Sequence, residues 1–362
     1  MTTTAKAPTA APQTPAAAQA LQVALIAPPT ATVPPSSLGG LDQVRWLAQG
    51  LAERGHHVTL IGAGLGGLVG GGYAVVDTDP TGGELAAPEL VDRVHAERAG
   101  KALEQLDRVD LVSDHTRAGW LPATGDPPPA TAHTIYRPVA RRPWAPPVAL
   151  PAHLGYVAVS HHQVRHGLGL PWVDAIHPAI PVGEHPLSVE HAGPCVYLGP
   201  LYAEHGAGAA LQAAHQAGRP IVLAGTTPDD EAAAFAEAEL QPRLAAGDQL
   251  VERVRLSERW ELLASACCLL APLRQDTPFS LEIVAAMVFG TPVVTMAGTV
   301  GAELVTHGVS GLVLTDPDLL AGAIARAGRL DPRTVRGQAA GRFDVPLMVD
   351  AYQALFARLL GR

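Results

Sequence analysis

Short apolar runs alternate along the chain with longer segments whose apolar residues recur at helical spacing. Residues 23–27 form a first buried run, followed by a polar, proline-rich stretch at 28–37. Residues 41–54 place Val44, Leu47 and Leu51 on one helical face, Gly55 ends that helix, and 57–61 begin a second strand. A helix at 90–106 and strands at 109–115, 156–160 and 172–182 continue the alternation. The pattern restarts with strands at 195–199 and 221–225, an alanine-rich helix at 229–245, a helix at 257–266 and a strand at 267–273. Residues 277–294 read as loop, helix and buried strand. Thr277-Pro278 makes a turn, Ser280 caps a helix to Phe289 with Leu281, Val284 and Val288 on its apolar face, and Gly290 stops it. Pro292 leads into the Val293-Val294 run; a final strand follows at 311–314 and an amphipathic helix at 348–360. Strand and helix alternating in this way predict an α/β chain with mostly parallel sheets.

The 362 residues suit two domains, each with its own core. We expect a tail at 1–20, a first domain at 21–182, a linker at 183–193 and a second domain from 194. The first twenty residues are rich in Ala, Thr and Pro, with one lysine and no apolar stretch, so they predict a disordered tail and not a signal peptide. A hydrophobic content of 48% excludes a chain disordered throughout. The formal charge of −9 argues against a nucleic-acid surface while leaving room for a local basic pocket. No apolar run is long enough to span a bilayer, which leaves peripheral membrane contact open. Cys195, Cys267 and Cys268 lie in apolar runs without metal-ligand spacing, as fits a reducing cytoplasm. Five of the fifteen histidines fall between His161 and His185, again in no metal pattern, so no metal site is expected.

Candidate chemistry gathers where helices begin and strands end. Gly39-Gly40 opens a helix, and glycines there let backbone approach a phosphate. The N-terminus capped by Ser280 is a second possible anion site, although an ordinary βα unit has the same pattern. Asp114 and His115 end a strand, where an open α/β sheet places its cleft. The glycine-rich run 62–72 predicts a flexible loop. Residues 126–151 are proline-laden and carry Arg137, Arg141, Arg142 and Trp144; they predict a surface loop or, alternatively, an acceptor-binding lip.

The run TPFSLEIVAAMVFGTPVV resembles the signature of the retaining glycosyltransferases of family 4, which have the GT-B fold. Pro278, Phe279, Leu281, Ala286, Met287 and Gly290 to Val294 match that signature. Thr277 and Ala285 stand where the family has its two glutamates, Ser280 stands for a glycine, and Glu282 occupies a position the family fills with an apolar residue. VPPSSLGG, ERGHHVTL and the strand ending in Asp-His are similar to the family's first domain, and IHPAIPV to that domain's closing segment. Gly199, Glu204 and Gly206 match its diphosphate motif, with Pro200 and His205 replacing the arginine and lysine.

The resemblance spans residues 22–362 and implies GT-B architecture: two Rossmann-like domains with parallel sheets facing a central cleft, and a C-terminal helix at 343–362 crossing back to the first. It implies transfer of a sugar from a nucleotide-sugar donor to a small-molecule or glycan acceptor, without catalytic metal or other cofactor, in the cytoplasm. By the same resemblance His115 touches the donor sugar. Gly39, Gly40, Gly199, His205, Thr277, Phe279, Ser280 and Leu281 face the donor, and Asp114, Arg142 and Glu303 lie toward the acceptor or cleft. Loss of both basic residues and both glutamates keeps a second expectation open: a glycosyltransferase-like binding or scaffold protein without transfer activity. Oligomeric state is left open.

Overall fold

The computed structural model describes residues 20–29, 39–65, 68, 71–78, 88–116, 129–139, 153–167 and 169–362. The tail expected at 1–20 lies almost wholly outside the described residues, as do Arg141, Arg142 and Trp144 of the suggested acceptor lip.

The first domain contains β1 (Gln22–Ile26), α1 (Gly40–Glu53), β2 (His57–Gly62), β3 (Ala74–Asp77), α2 (Pro88–Glu104), β4 (Leu111–Asp114), β5 (Ala130–Ile135), β6 (Leu154–Ala158), α3 (His161–His166) and β7 (Trp172–Ala175). Its seven strands run parallel in the order β3-β2-β1-β4-β5-β6-β7. The strand order reverses direction between β1 and β4, and a doubly wound sheet opens its crevice at such a switch.

The second domain contains β8 (Cys195–Pro200), α4 (Ala207–Gln216), β9 (Ile221–Thr226), α5 (Asp230–Phe235), β10 (Gln249–Glu252), α6 (Leu256–Ser265), β11 (Cys268–Ala271), α7 (Leu281–Val288), β12 (Val293–Met296), α8 (Gly301–Leu304), β13 (Gly311–Leu314), α9 (Leu320–Ala327) and α10 (Pro332–Phe343). Six parallel strands are ordered β10-β9-β8-β11-β12-β13, with the equivalent switch between β8 and β11.

A last helix, α11 (Val345–Leu359), leaves the second domain and lies on α1 of the first. Met348, Val349, Tyr352, Leu355 and Phe356 join Val44, Leu47 and Leu51 in one buried cluster. The approach is close enough to require glycine: a Cβ on Gly50 would stand 2.5 Å from Val349 Cγ2. Arg54 pairs with Asp350, and Arg358 with Asp174, along the rim of this contact.

Three sequence expectations need correction. The expected loop at 126–151 contains β5, whose ATAHTI sequence is buried from Thr131 onward and pairs on both sides. Flanking prolines masked a β-branched run that the sheet selects. The expected strand at 172–182 is regular only over Trp172–Ala175; Pro178 and Pro181 lack the N–H groups that further pairing would need. The helix expected at 229–245 ends at Phe235 and continues as a π turn over Ala236–Leu240 and a 3-10 turn over Gln241–Arg243. Pro242 cannot continue α-helical bonding, and Asp229 is the cap, accepting from the Ala232 N–H at 3.0 Å. The short strands β3 and β10, four residues each, were not anticipated.

Candidate active site in the interdomain cleft

A cavity of about 380 Å³ opens between the two sheets. Its lining follows the C-terminal ends of strands: Pro28 after β1, His115 and Thr116 after β4, Tyr136 and Arg137 after β5, Val159 after β6. The second domain contributes Phe279, Leu281 and Glu282, at the start of α7. Gly39 and Gly40 line it too, so two helix N-termini from different domains face one volume. The first is shaped by Gly39, whose N–H donates to Asp42 Oδ2 at 3.2 Å, and by Gly40, where a Cβ would meet Pro28 Cγ at 3.1 Å. At the second, Ser280 Oγ accepts from the Ile283 N–H at 3.3 Å and stands 3.2 Å from Glu282 Oε2, to which its hydroxyl donates. Gln43, buried on α1, is locked by a reciprocal pair of bonds to Ala179, Nε2 to O at 2.9 Å and N to Oε1 at 2.8 Å.

The wall beyond β4 is a set of buried polar groups. His115 Nε2 lies 2.9 Å from Ser113 Oγ and its Nδ1 2.9 Å from Tyr136 Oη. Burial pushes the His115 pKa down to about 3, against the opposing pull of Asp114, so the ring is neutral throughout the physiological range. Burial, with the neighbouring Tyr352, raises Tyr136 well above the ordinary phenol range. Asp114 sits one layer back. Its Oδ2 is 2.9 Å from His133 Nδ1, and its Oδ1 accepts from the Thr116 N–H at 2.8 Å. Asp114 therefore orients His133, and His133 lines the cavity. Tyr352 of α11 closes the rear, its hydroxyl 2.9 Å from Thr134 Oγ1 and its ring centroid 5.8 Å from that of His115.

The other expected residues lie apart from this lining. Gly199 ends β8, and Tyr197 Oη donates to the carbonyls of Pro200 at 2.8 Å and His205 at 3.2 Å, which pins the loop between them. Gly206 begins α4 with φ of +91°, where a Cβ would meet the Pro272 carbonyl oxygen at 2.5 Å. Thr277 donates its N–H to the Arg274 carbonyl. Arg274, which the sequence reading passed over, pairs with Glu204 and holds Asp276 through two bonds, of 2.8 and 3.2 Å.

Glu303 lies in α8 and outside the lining of the cavity. Its carboxylate reaches the first domain, accepting from the N–H groups of His161 at 2.9 Å and His162 at 2.6 Å, with His177 Nε2 at 2.7 Å. Burial works to raise its pKa, yet these bonds prevail and hold it at about 2. Ser160 Oγ donating to the Pro278 carbonyl at 2.6 Å, and His162 Nε2 at 2.6 Å from the Gln275 carbonyl, complete this interdomain seam.

Glu282, His133, Tyr136 and Gln43 were missed as site residues. His133 and Tyr136 fall in the segment read as loop. Glu282 departs from the signature, and only its place in the first turn of a cleft-facing helix marked it.

The fold is GT-B. Two doubly wound domains and a returning C-terminal helix superpose on solved glycosyltransferases along nearly the full chain. AviGT4, a glycosyltransferase involved in avilamycin A biosynthesis, matches with a TM-score of 0.71 at 26% identity, covering 94% of this chain and 98% of its own. Sucrose-phosphate synthase from Thermosynechococcus elongatus matches at 0.73 and 18% identity, covering 94% and 99%. HepE from Anabaena, solved with UDP and glucose, matches at 0.62 and 14% identity, covering 93% and 100%. Residues 194–328 match the sequence model of the glycosyl transferases group 1 family. No curated protein matches the chain. Among the described residues, no helix is long and apolar enough to cross a membrane.

Proposed function

We propose that the chain is a glycosyltransferase of the family 4 type, moving a sugar from a nucleotide-sugar donor to an acceptor with retention of anomeric configuration. One observation carries this reading: two helix N-termini, at Gly39-Gly40 and at Ser280 to Leu281, open from opposite domains onto one cavity. Free N–H groups and the helix dipole favour an anion at such a position. A donor diphosphate bridging them would have its growing negative charge stabilised as the sugar departs, which needs no metal. Arg137 brings a guanidinium to the same lining.

The second domain offers Glu282 as the only carboxylate among the described lining residues. It is positioned to accept hydrogen bonds from ribose or sugar hydroxyls, the task that Thr277 and Ala285 leave undone. His115 acts as a neutral hydrogen-bonding group, exchanging its Ser113 or Tyr136 partner for a donor-sugar hydroxyl. The wall of Ile135, Val159, Pro178, Phe279 and Leu281 suits an acceptor with an apolar face.

The test is calorimetric titration of the full chain with UDP, GDP and ADP, then with the matching sugar nucleotides and product analysis. The reading expects saturable binding of at least one nucleotide diphosphate and slow release of sugar from its donor. Absence of binding to all of them would sink the transferase and leave a binding or scaffold role on the same fold.

A further inference from the structure

The interior of the second domain holds a cluster that sugar transfer does not use. Cys195 opens β8 and Cys268 opens β11, and the two are register partners across this parallel pair. Cys267 stands just before β11, outside the alternation that would turn adjacent strand residues to opposite faces. The three Sγ atoms lie within 4.8 Å of one another, with 3.5 Å between those of Cys195 and Cys267. All three thiols are buried and free of disulfide bonds.

A second observation points to a ligand. Cys267 lines a cavity of about 300 Å³ together with His191 and Arg219. His191 Nδ1 lies 2.9 Å from the Ala266 carbonyl oxygen, whereas its Nε2 is buried without a partner. A ring that donates Nδ1–H to a carbonyl leaves Nε2 as a bare lone pair, the tautomer that metal-binding histidines adopt. A buried polar atom without a partner is destabilising, which marks this cavity as a place suited to a ligand.

We propose that Cys195, Cys267 and Cys268 form a binding site for a soft, thiophilic cation, Cu⁺ or Zn²⁺, beside the cavity that Cys267 and His191 line. Thiolates each about 2.3 Å from zinc stand about 3.8 Å apart at tetrahedral angles, so the observed sulfur spacing needs only small adjustment. Soft thiolate donors select this class of ion over hard cations. Each thiol releases its proton to solvent as its sulfur–metal bond forms, and no electron is transferred. Three thiolates leave a net charge of −1 with Zn²⁺ and −2 with Cu⁺, which the Arg219 guanidinium at the cavity partly offsets. Three sulfurs suffice for Cu⁺, whereas Zn²⁺ takes a fourth ligand that the three cysteines do not themselves supply. A bound ion would clamp β8 to β11 at the centre of the sheet.

The experiment uses the full chain, reduced and stripped with chelator, titrated with Cd²⁺ while the ultraviolet thiolate-to-cadmium charge-transfer band is followed. Zn²⁺ and Cu⁺ are then used as competitors. The expected result is saturation at one equivalent per chain and an upward shift in melting temperature, as for any ligand favouring the folded state. Cys267→Ala, at the cavity edge, should weaken binding by more than about a hundredfold, beyond the loss typical of an outer hydrogen-bond partner. In the native chain, one equivalent of Zn²⁺ or Cu⁺ should protect Cys267 from alkylation, a readout that does not depend on how the variants fold. A missing band, an unshifted band in Cys267→Ala, or alkylation at an unchanged rate overturns the site.

Discussion

The two walls of the cleft are built on different principles. The first domain presents polar groups fixed before any ligand arrives: His115 between Ser113 and Tyr136, His133 held by Asp114, Gln43 clasping Ala179. The second domain presents the first turn of one helix, with Phe279, Leu281 and a single carboxylate at Glu282. A wall organised in advance gives orientation at little entropic cost, whereas a wall with little charge of its own leaves the donor's phosphates to helix termini. Specificity should therefore reside in the first domain, and weak donor affinity should originate in the second.

The sharpest break in this contrast would be His115→Ala. Removing a preorganised hydrogen-bonding group at a reacting centre costs about 100-fold or more in turnover, so a sugar-transfer assay should fall by that order. The substitution also strands Ser113 in the interior, at about 1–3 kcal/mol, while Tyr136 keeps its hydrogen bond to Tyr352. Calorimetric melting should therefore drop as well, which a solvated histidine at a strand end would not produce. Unchanged turnover would reduce the network to a structural one.

In the second domain, on the loop after β8 that lies apart from the cavity lining, Pro200→Arg combined with His205→Lys should tighten nucleotide diphosphate binding by about tenfold or more if that loop reaches the diphosphate, since hydrogen bonds to charged groups contribute about 1.5–3 kcal/mol. Titration calorimetry reads this directly. Weaker binding by the double variant would mean that a different set of residues, with Arg274 the first to test, holds the diphosphate.

Acidification tests both regions through folding. His115 has its folded pKa depressed to about 3 from 6.5, so the unfolded chain takes up its proton first. Stability from this residue is full above pH 6.5 and declines as the pH falls toward 3. Glu303 is depressed to about 2 from 4.5, so its interdomain bonds add stability above pH 4.5 that is lost on the way down to 2. Denaturant melts against pH should show loss beginning near neutrality and steepening below pH 4.5, with Glu303→Gln removing only the lower part.

A smaller effect is expected of Glu282→Gln, which keeps the shape and removes the charge. Donor affinity should fall about threefold to tenfold, the scale of one weakened hydrogen bond. A gain instead would indicate that Glu282 repels the phosphates and does not receive hydroxyls.

Local signals were the legible ones. Ser280 caps α7 and Gly39-Gly40 begins α1 as their sequence implied, because capping depends on residues within one turn. The GT-B architecture followed from the alternation of strands and helices together with the motif resemblance. Residues whose role depends on distant partners stayed hidden. Glu303 was expected at the cleft and instead meets the backbone of α3 from the opposite domain. His133 was obscured by the prolines around β5. Linear spacing between Cys195 and the Cys267-Cys268 pair resembles no metal motif, since strand register and not sequence distance brings the three together.

The returning helix α11 has a consequence for the order of events during synthesis. The cluster around Val44, Leu47 and Leu51 is completed by Met348, Val349, Tyr352 and Phe356, which leave the ribosome only after the entire second domain. The half of the molecule made first is thus finished last, and until then α1 exposes an apolar stripe to the surroundings. The second domain, whose strands and helices are contiguous in the chain, has no such wait. A released chain truncated just short of Val345 should hold a protease-resistant second domain beside a first domain still open to cleavage and chaperone capture.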